Sequence, residues 1–216
     1  MMLGTIASGL SRQQAGGLAT LVAANFVTGT YSVASVAVTA ADIVDQPGLI
    51  TANGLDVPGW TPDAVVEYVG DALAALLTME WTVVIEYQCL WNTGEDILLV
   101  VSNPAGSQFF EMHRGALSTR RMIVTETGDS QYRETIDIDQ HNVGLHRIAV
   151  TSAAARLSLS VDGDPVITDT SAMDYSGLTR ALIGAYFDDE TENEFYLRSV
   201  TIYDPQEDSL LPTLSA

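Results

Sequence analysis

The sequence predicts an all-β protein: an antiparallel two-sheet sandwich of the jelly-roll kind, with one short helix and an N-terminal arm. Three observations carry this. More than ten short runs of β-prone residues follow one another along the 216 residues. Turn residues separate them every 8–12 positions or so, which is the spacing of a sandwich or barrel. Within the runs, apolar residues recur with a period of two, the mark of a strand with one face in a core. The clearest case is Arg156 to Val161, where Leu157, Leu159 and Val161 alternate with Ser158 and Ser160. Asp162-Gly163 then predicts a tight hairpin, because a type I′ turn needs positive φ and Gly163 supplies it without strain.

Taken in order, residues 1–24 read as an arm. Leu3, Ile6, Leu10, Leu18 and Leu21 are apolar, but Gly4, Gly9, Gly16 and Gly17 work against a long helix. The domain is drawn as 25–216. Phe26 to Val38 carries strand signals in Tyr31, Val33, Val36 and Val38. Ile43-Val44 and Leu49-Ile50-Thr51 are short strands around Pro47-Gly48, Asn53-Gly54 is a turn, and Val57 to Pro62 is a loop. Val65 to Val69 is a strand. Asp71 to Leu77 is rich in Ala and Leu, which favour helix, and Asp71 can cap it. It is the one helix expected in the domain.

Trp81, Val83, Ile85 and Tyr87 share one face of the next strand, and Ile97, Leu99 and Val101 one face of the strand over 96–102. Strands over 108–113, 121–127, 131–138, 145–151, 156–167, a stretch around Ala181-Leu182-Ile183, and 195–203 complete the set. In the last, apolar parity changes between Leu197 and Val200, which predicts a bulge or burial on both faces.

A chain of this length buries roughly 70% of its unfolded surface, so it needs no staples. The single Cys89 cannot form an internal disulfide and reads as a small sheet or core residue. Net charge is −19. All nine basic residues are Arg, and only Arg12 precedes Arg114. Such a field repels nucleic acid, which is excluded as a partner. It also suits a solubilising surface. No segment reads as a transmembrane helix, so no membrane is expected, and the first residues lack the basic start of a signal peptide.

The second half resembles the concanavalin A-like (laminin G-like) jelly-roll superfamily. The resemblance rests on His146-Arg147-Ile148-Ala149-Val150, on Leu157 to Val161-Asp162-Gly163, on Leu182-Ile183-Gly184, and on the closing strand Phe195 to Ile202-Tyr203. It covers residues 80–204 or so and implies the sandwich fold; these are framework positions, without ligand or catalytic role. The first half, with its small apolar start and Gly29-Thr30-Tyr31 strand, looks like head or tail proteins of tailed bacteriophages.

Glycosidases of that superfamily carry a Glu-x-Asp-x-x-Glu strand, whose paired carboxylates serve as acid and nucleophile. Glu86-Tyr87-Gln88 lacks the second acid, and Asp137-Ile138-Asp139 lacks a third. No catalysis is expected. Asp137, Asp139, His141 and Asn142 resemble the metal loop of legume lectins, and Asp188, Asp189, Glu190, Glu192 and Glu194 form the densest acid cluster. Neither has the spaced ligands of a dedicated cation loop, and charge runs are ordinarily solvated, so no metal or cofactor is expected. The three His residues do not cluster in sequence.

Trp60, Trp91 with Asn92, Tyr175 and Tyr186 lie in or beside loops, where an aromatic platform next to an amide would suit a sugar ring. These readings predict a non-enzymatic structural protein of a phage virion: a head decoration, spike or tail fibre module. It would dock onto other virion proteins through Leu3, Ile6, Leu10, Leu18 and Leu21, display its jelly roll for attachment to cell-surface glycans, and assemble as a homo-oligomer such as a trimer. The alternative is a free lectin or adhesin.

Overall fold

The computed structural model describes residues 18–59, 65–90, 96–103, 109–117, 120–127, 131–138, 143–153, 156–170, 177–185 and 194–216. The strands are β1 (Thr20–Asn25), β2 (Thr30–Val33), β3 (Val36–Ala37), β4 (Ile50–Thr51), β5 (Gly54–Val57), β6 (Val66–Glu67), β7 (Trp81–Cys89), β8 (Asp96–Ser102), β9 (Phe109–Leu117), β10 (Arg120–Thr127), β11 (Gln131–Ile138), β12 (Gly144–Ala153), β13 (Arg156–Val161), β14 (Ile167–Asp169), β15 (Arg180–Ile183) and β16 (Phe195–Tyr203). Helix α1 (Gly70–Leu77) lies between β6 and β7, and α2 (Leu211–Leu214) follows β16.

The larger sheet has the order β14-β13-β12-β7-β16-β1-β2-β3, with β5 also on β16 and β4 on β5; the smaller runs β11-β10-β9-β8-β15-β6. Every pairing is antiparallel, so this is the two-sheet sandwich that the sequence predicts.

The core lies between the sheets. Trp81, Val83, Ile85, Tyr87 and Cys89 of β7 face it, as their common parity predicts. Trp81 meets the ring of Phe110 edge-on at 5.5 Å, and its indole N–H donates to the Leu76 carbonyl at 2.9 Å, tying α1 to the sheet. Helix α1 buries Ala72 and Leu76. Its N-cap is Val69, not Asp71: Gly70, at φ +55°, turns the chain into the helix one position earlier, leaving Asp71 in the first turn, where its charge favours the helix dipole.

Other expectations need correction. An arm over residues 1–24 overlaps the sheet: β1 begins at Thr20 and lies inside the larger sheet between β16 and β2, with Val22 and Ala24 in the core. Leu21 is half-buried against that core, while Leu18 is 41% exposed; Leu3, Ile6 and Leu10 lie outside the described residues. Ile43 and Val44 are core residues but only Val44 pairs, in a lone bridge to Tyr68, because Thr39 and Asp42 cap a 3-10 turn before them. Leu49 likewise closes a 3-10 turn that begins at Pro47. In β8 a register shift between Ile97 and Leu99 breaks the expected common face: Leu99 and Val101 join the main core, whereas Ile97 packs with Val100 and Leu182 outside it.

The hairpin at Asp162-Gly163 has the expected geometry. Both residues have positive φ, 49° and 82°, and Asp164 N–H closes the turn onto the Val161 carbonyl at 2.8 Å. Leu157, Leu159 and Val161 point into the core as predicted. Ser158 and Ser160 point the other way, yet they are only 0% and 2% exposed. Here the sequence pattern misleads, because α2 covers that outer face.

Leu211 and Leu214 pack on Val84 and Ala149. Ser215 bonds Ser160 at 2.9 Å and accepts from Gly163 N–H at 3.1 Å, and Gln206 N–H donates to Thr82 Oγ1 at 2.8 Å. Arg156 holds Asp208 at 3.0 Å and donates to the Gln206 carbonyl at 3.0 Å. The outer face is thus sealed where the tail lies. Among the described residues no helix is long and apolar enough to cross a membrane.

Leu159→Ala should destabilise the fold by about 2–5 kcal/mol in chemical denaturation, as a fully packed leucine does; a loss below about 0.5 kcal/mol would be surface behaviour and would contradict its placement. Removing residues 2–24 should abolish cooperative thermal unfolding, since β1 goes with them. Removing 2–17 should leave the transition in place.

Candidate functional site

The sugar-platform residues from the sequence, Trp60, Trp91, Asn92, Tyr175 and Tyr186, lie outside the described residues, as do Asp139, His141, Asn142 and the acids from Asp188 to Glu192. Asp137 falls on β11, opposite Met122. The strand ends that flank the aromatics are described. Phe195 pairs with both Val57 and Cys89, and Cys89 pairs with Gly144. The chain positions next to Trp60, next to Trp91 and Asn92, and after Tyr186 therefore meet at one end of the larger sheet. Tyr175 follows β14, whose Asp169 pairs with Leu157; Leu157 pairs with Ser152, and Ser152 with Trp81, at the opposite end. The structure brings three of the flanks together and separates the fourth.

On the outer face beside that end lies a row that sequence reasoning missed. Leu145 on β12 pairs with Gln88 on β7, Gln88 with Tyr196 on β16, and Tyr196 with Asp56 on β5. Each alternates with core neighbours: Tyr87 and Cys89 beside Gln88, Phe195 and Leu197 beside Tyr196, and Leu55 and Val57 beside Asp56. Gln88, Tyr196 and Asp56 are half-buried, and Leu145 is 57% exposed. The next row carries Glu86, whose Oε1 accepts from Arg198 Nε at 3.1 Å. The signal in the sequence was the polar parity of Glu86 and Gln88 against Tyr87. The partners are too far apart along the chain for pattern alone to pair them.

His146 and Asp162 form one clamp. Asp162 Oδ1 accepts from Arg147 N–H at 2.8 Å, and its Oδ2 is 2.8 Å from His146 Nδ1. The His146 ring sits 5.6 Å from that of Tyr87. Burial pushes the Asp162 carboxyl up, but the bonds from His146 and Arg147, with the imidazole's charge, outweigh it and hold the group below the ordinary 3.8. The clamp ties the hairpin turn to the start of β12, which gives these framework residues a structural reason.

A second concavity, about 760 Å³, lies where β2 and β3 approach the start of α1 and is lined by Val33, Val38, Asp42, Val69 and Asp71 among others. Asp42 is held below its usual range by the Thr39 hydroxyl and N–H, at 2.6 and 2.8 Å. That bonding caps a turn and orders no ligand group. Among the described residues no three or more His, Cys, Asp or Glu gather as metal ligands would.

No family model matches the chain, and no curated protein matches its sequence. Solved structures do resemble it. The CBM40 module of Ruminococcus gnavus IT-sialidase aligns at TM-score 0.54 and 19% identity, over 68% of this chain and 88% of that one. Domain 4 of AbnA, a GH43 extracellular arabinanase of Geobacillus stearothermophilus solved with arabinotriose, aligns at 0.58 and 9%, over 92% and 99%. The leech intramolecular trans-sialidase aligns at 0.53 and 15%, over 67% of this chain and 24% of that one. At these identities the likeness is one of fold alone: a two-sheet antiparallel β-sandwich.

The Asp162 clamp has a pH consequence. A carboxyl whose folded pKa lies below its unfolded value stabilises the fold at higher pH and loses that contribution as pH falls through the folded value. Urea midpoints should be level above about pH 5 and drop below 3.8 as Asp162 protonates. Asp162→Asn should lower the midpoint at neutral pH and flatten the acid limb. An unchanged acid limb would show the clamp contributes nothing.

Proposed function

We propose that the chain is a carbohydrate-binding module that holds a glycan without cleaving it. The observation that carries this is the meeting, at one end of the sandwich, of the strand ends that flank Trp60, Trp91 with Asn92, and Tyr186. An aromatic ring offers an apolar face to sugar C–H groups while amides take the hydroxyls. The fold likeness supports it: the AbnA domain was solved with arabinotriose, and a CBM40 structure with sialyllactose, at 20% identity to this chain. Binding without turnover follows from the missing carboxylate set in the sequence.

This reading is preferred to the virion role. Of the residues expected to dock the arm, Leu3, Ile6 and Leu10 lie outside the described residues and Leu21 packs on the core. Display on a phage particle, as one of several copies, is a proposal that rests on the sequence likeness alone.

The purified chain on a glycan array should bind at least one class of oligosaccharide and release no product from it by chromatography. Trp60→Ala or Trp91→Ala should weaken binding about ten-fold, or about 1.4 kcal/mol. An array without signal would overturn the proposal.

A further inference from the structure

We propose that the open half of the outer face of the larger sheet is itself a sugar-contact surface, and that the glycan it takes is neutral. This rests on the glycan-binding reading and names residues and a ligand class for it.

The outer face is divided. Toward the Trp81 end of β7, Leu211 and Leu214 lie over Val84 and Ala149. Toward the Cys89 end, no described segment covers the row Leu145, Gln88, Tyr196 and Asp56. Four adjacent strands at about 4.8 Å spacing make that row about 14 Å long, the reach of a short oligosaccharide. Its chemistry suits hydroxyls. Tyr196 has a ring to set against sugar C–H groups, Gln88 an amide that both donates and accepts, and Asp56 a carboxylate that accepts twice. Among the described residues none of these three side chains is engaged in a hydrogen bond, so all are free for a ligand.

The same row argues against two other occupants. A protein partner would want an apolar centre, and this surface offers Leu145 with Val143 beside it, 57% and 53% exposed, against a run of polar groups. An acidic sugar would want a free cation. Arg198 is already paired with Glu86 at 3.1 Å, and Arg147 donates to the Ala216 carbonyl at 3.2 Å at the border of the tail. Asp56 adds a negative charge to the row, within a chain of net charge −19. The field therefore repels a sialylated ligand and leaves a neutral one unaffected.

The test compares neutral with sialylated oligosaccharides on the full chain by glycan array, then measures the best ligand by titration calorimetry. Circular dichroism and melting confirm the fold of each variant. A neutral glycan should bind best, with affinity little changed from low to physiological salt. Tyr196→Ala should weaken it about ten-fold or more, Gln88→Ala less, and Tyr196→Phe should keep most of the affinity by keeping the ring. If Tyr196→Ala fails to fold, Gln88→Ala and Asp56→Ala carry the test. Unaltered affinity in those variants, with loss in Trp60→Ala or Trp91→Ala, would overturn this inference and leave the glycan reading standing. Binding confined to sialylated glycans would overturn the ligand class. Binding to no glycan would overturn both.

Discussion

One irregularity in β16 organises the larger sheet. Between Leu197 and Ser199 the register against β7 slips, and the parity of the strand changes with it. Before the slip, Phe195 and Leu197 face the core; after it, Val200 and Ile202 do. A bulge of one residue is what allows both segments to bury their apolar side chains, since in a regular strand one set would face outward. The slip also divides the far edge of the strand: Phe195 to Leu197 pairs with β5, and Ser199 to Tyr203 with β1. The close approach of β5 explains Gly54, where a Cβ would lie 2.5 Å from the Leu197 carbonyl oxygen. The row with Asp56 lies on the stretch before the slip, where Tyr196 pairs with Asp56 and alternates with the core residues Phe195 and Leu197.

The outer face then divides into a sealed half and an open half, for a plain energetic reason. Val84 and Ala149 are apolar and face away from the core, so leaving them in water would forgo about 25 cal/mol for each Å² of apolar surface. Leu211 and Leu214 cover them, and the hydroxyls of Thr82, Ser158 and Ser160 are satisfied by Gln206, Thr168 and Ser215. Beyond Glu86 the outward row carries Gln88, Tyr196 and Asp56, whose polar groups water suits, with Leu145 at its end. The limit of the tail is thus written in the composition of the strands beneath it.

Charge shapes the surface differently. Among the described residues, three arginines are held by carboxylates: Arg156 by Asp208, Arg180 by Glu67 and Arg198 by Glu86. Each such partly exposed pair contributes about 0–1 kcal/mol, so they matter less to stability than to the field. These pairs engage three of the nine arginines, in a chain whose net charge is −19.

Much of the fold was legible in local pattern: the strand runs, the Asp-Gly hairpin, the single α1 of the domain body and the parity change in β16 all follow from side-chain period and turn chemistry. These signals act between near neighbours, so a sequence carries them openly. What pattern misread was what depended on distant partners. Ser158 and Ser160 look like a solvent face until a tail some 55 residues away lies over them. Thr20 to Ala24 looks like an arm until β16 and β2 flank it. His146 and Asp162 look like separate framework residues until the hairpin turn brings them to 2.8 Å.

The candidate site divides the same way. The aromatics near turns could be picked from composition, but nothing local says which turns share an end of the sandwich. The row from Leu145 to Asp56 spans four strands whose partners are 57 to 140 positions apart, such as Gln88 with Tyr196. Strand pairing decides such neighbours, and pairing is settled by the burial of whole faces. By itself the sequence determined which residues form strands and which side of each is apolar, because both are local properties of the chain. Only the tertiary structure decided which polar sides lie together and which are covered, because that depends on packing summed over the whole core.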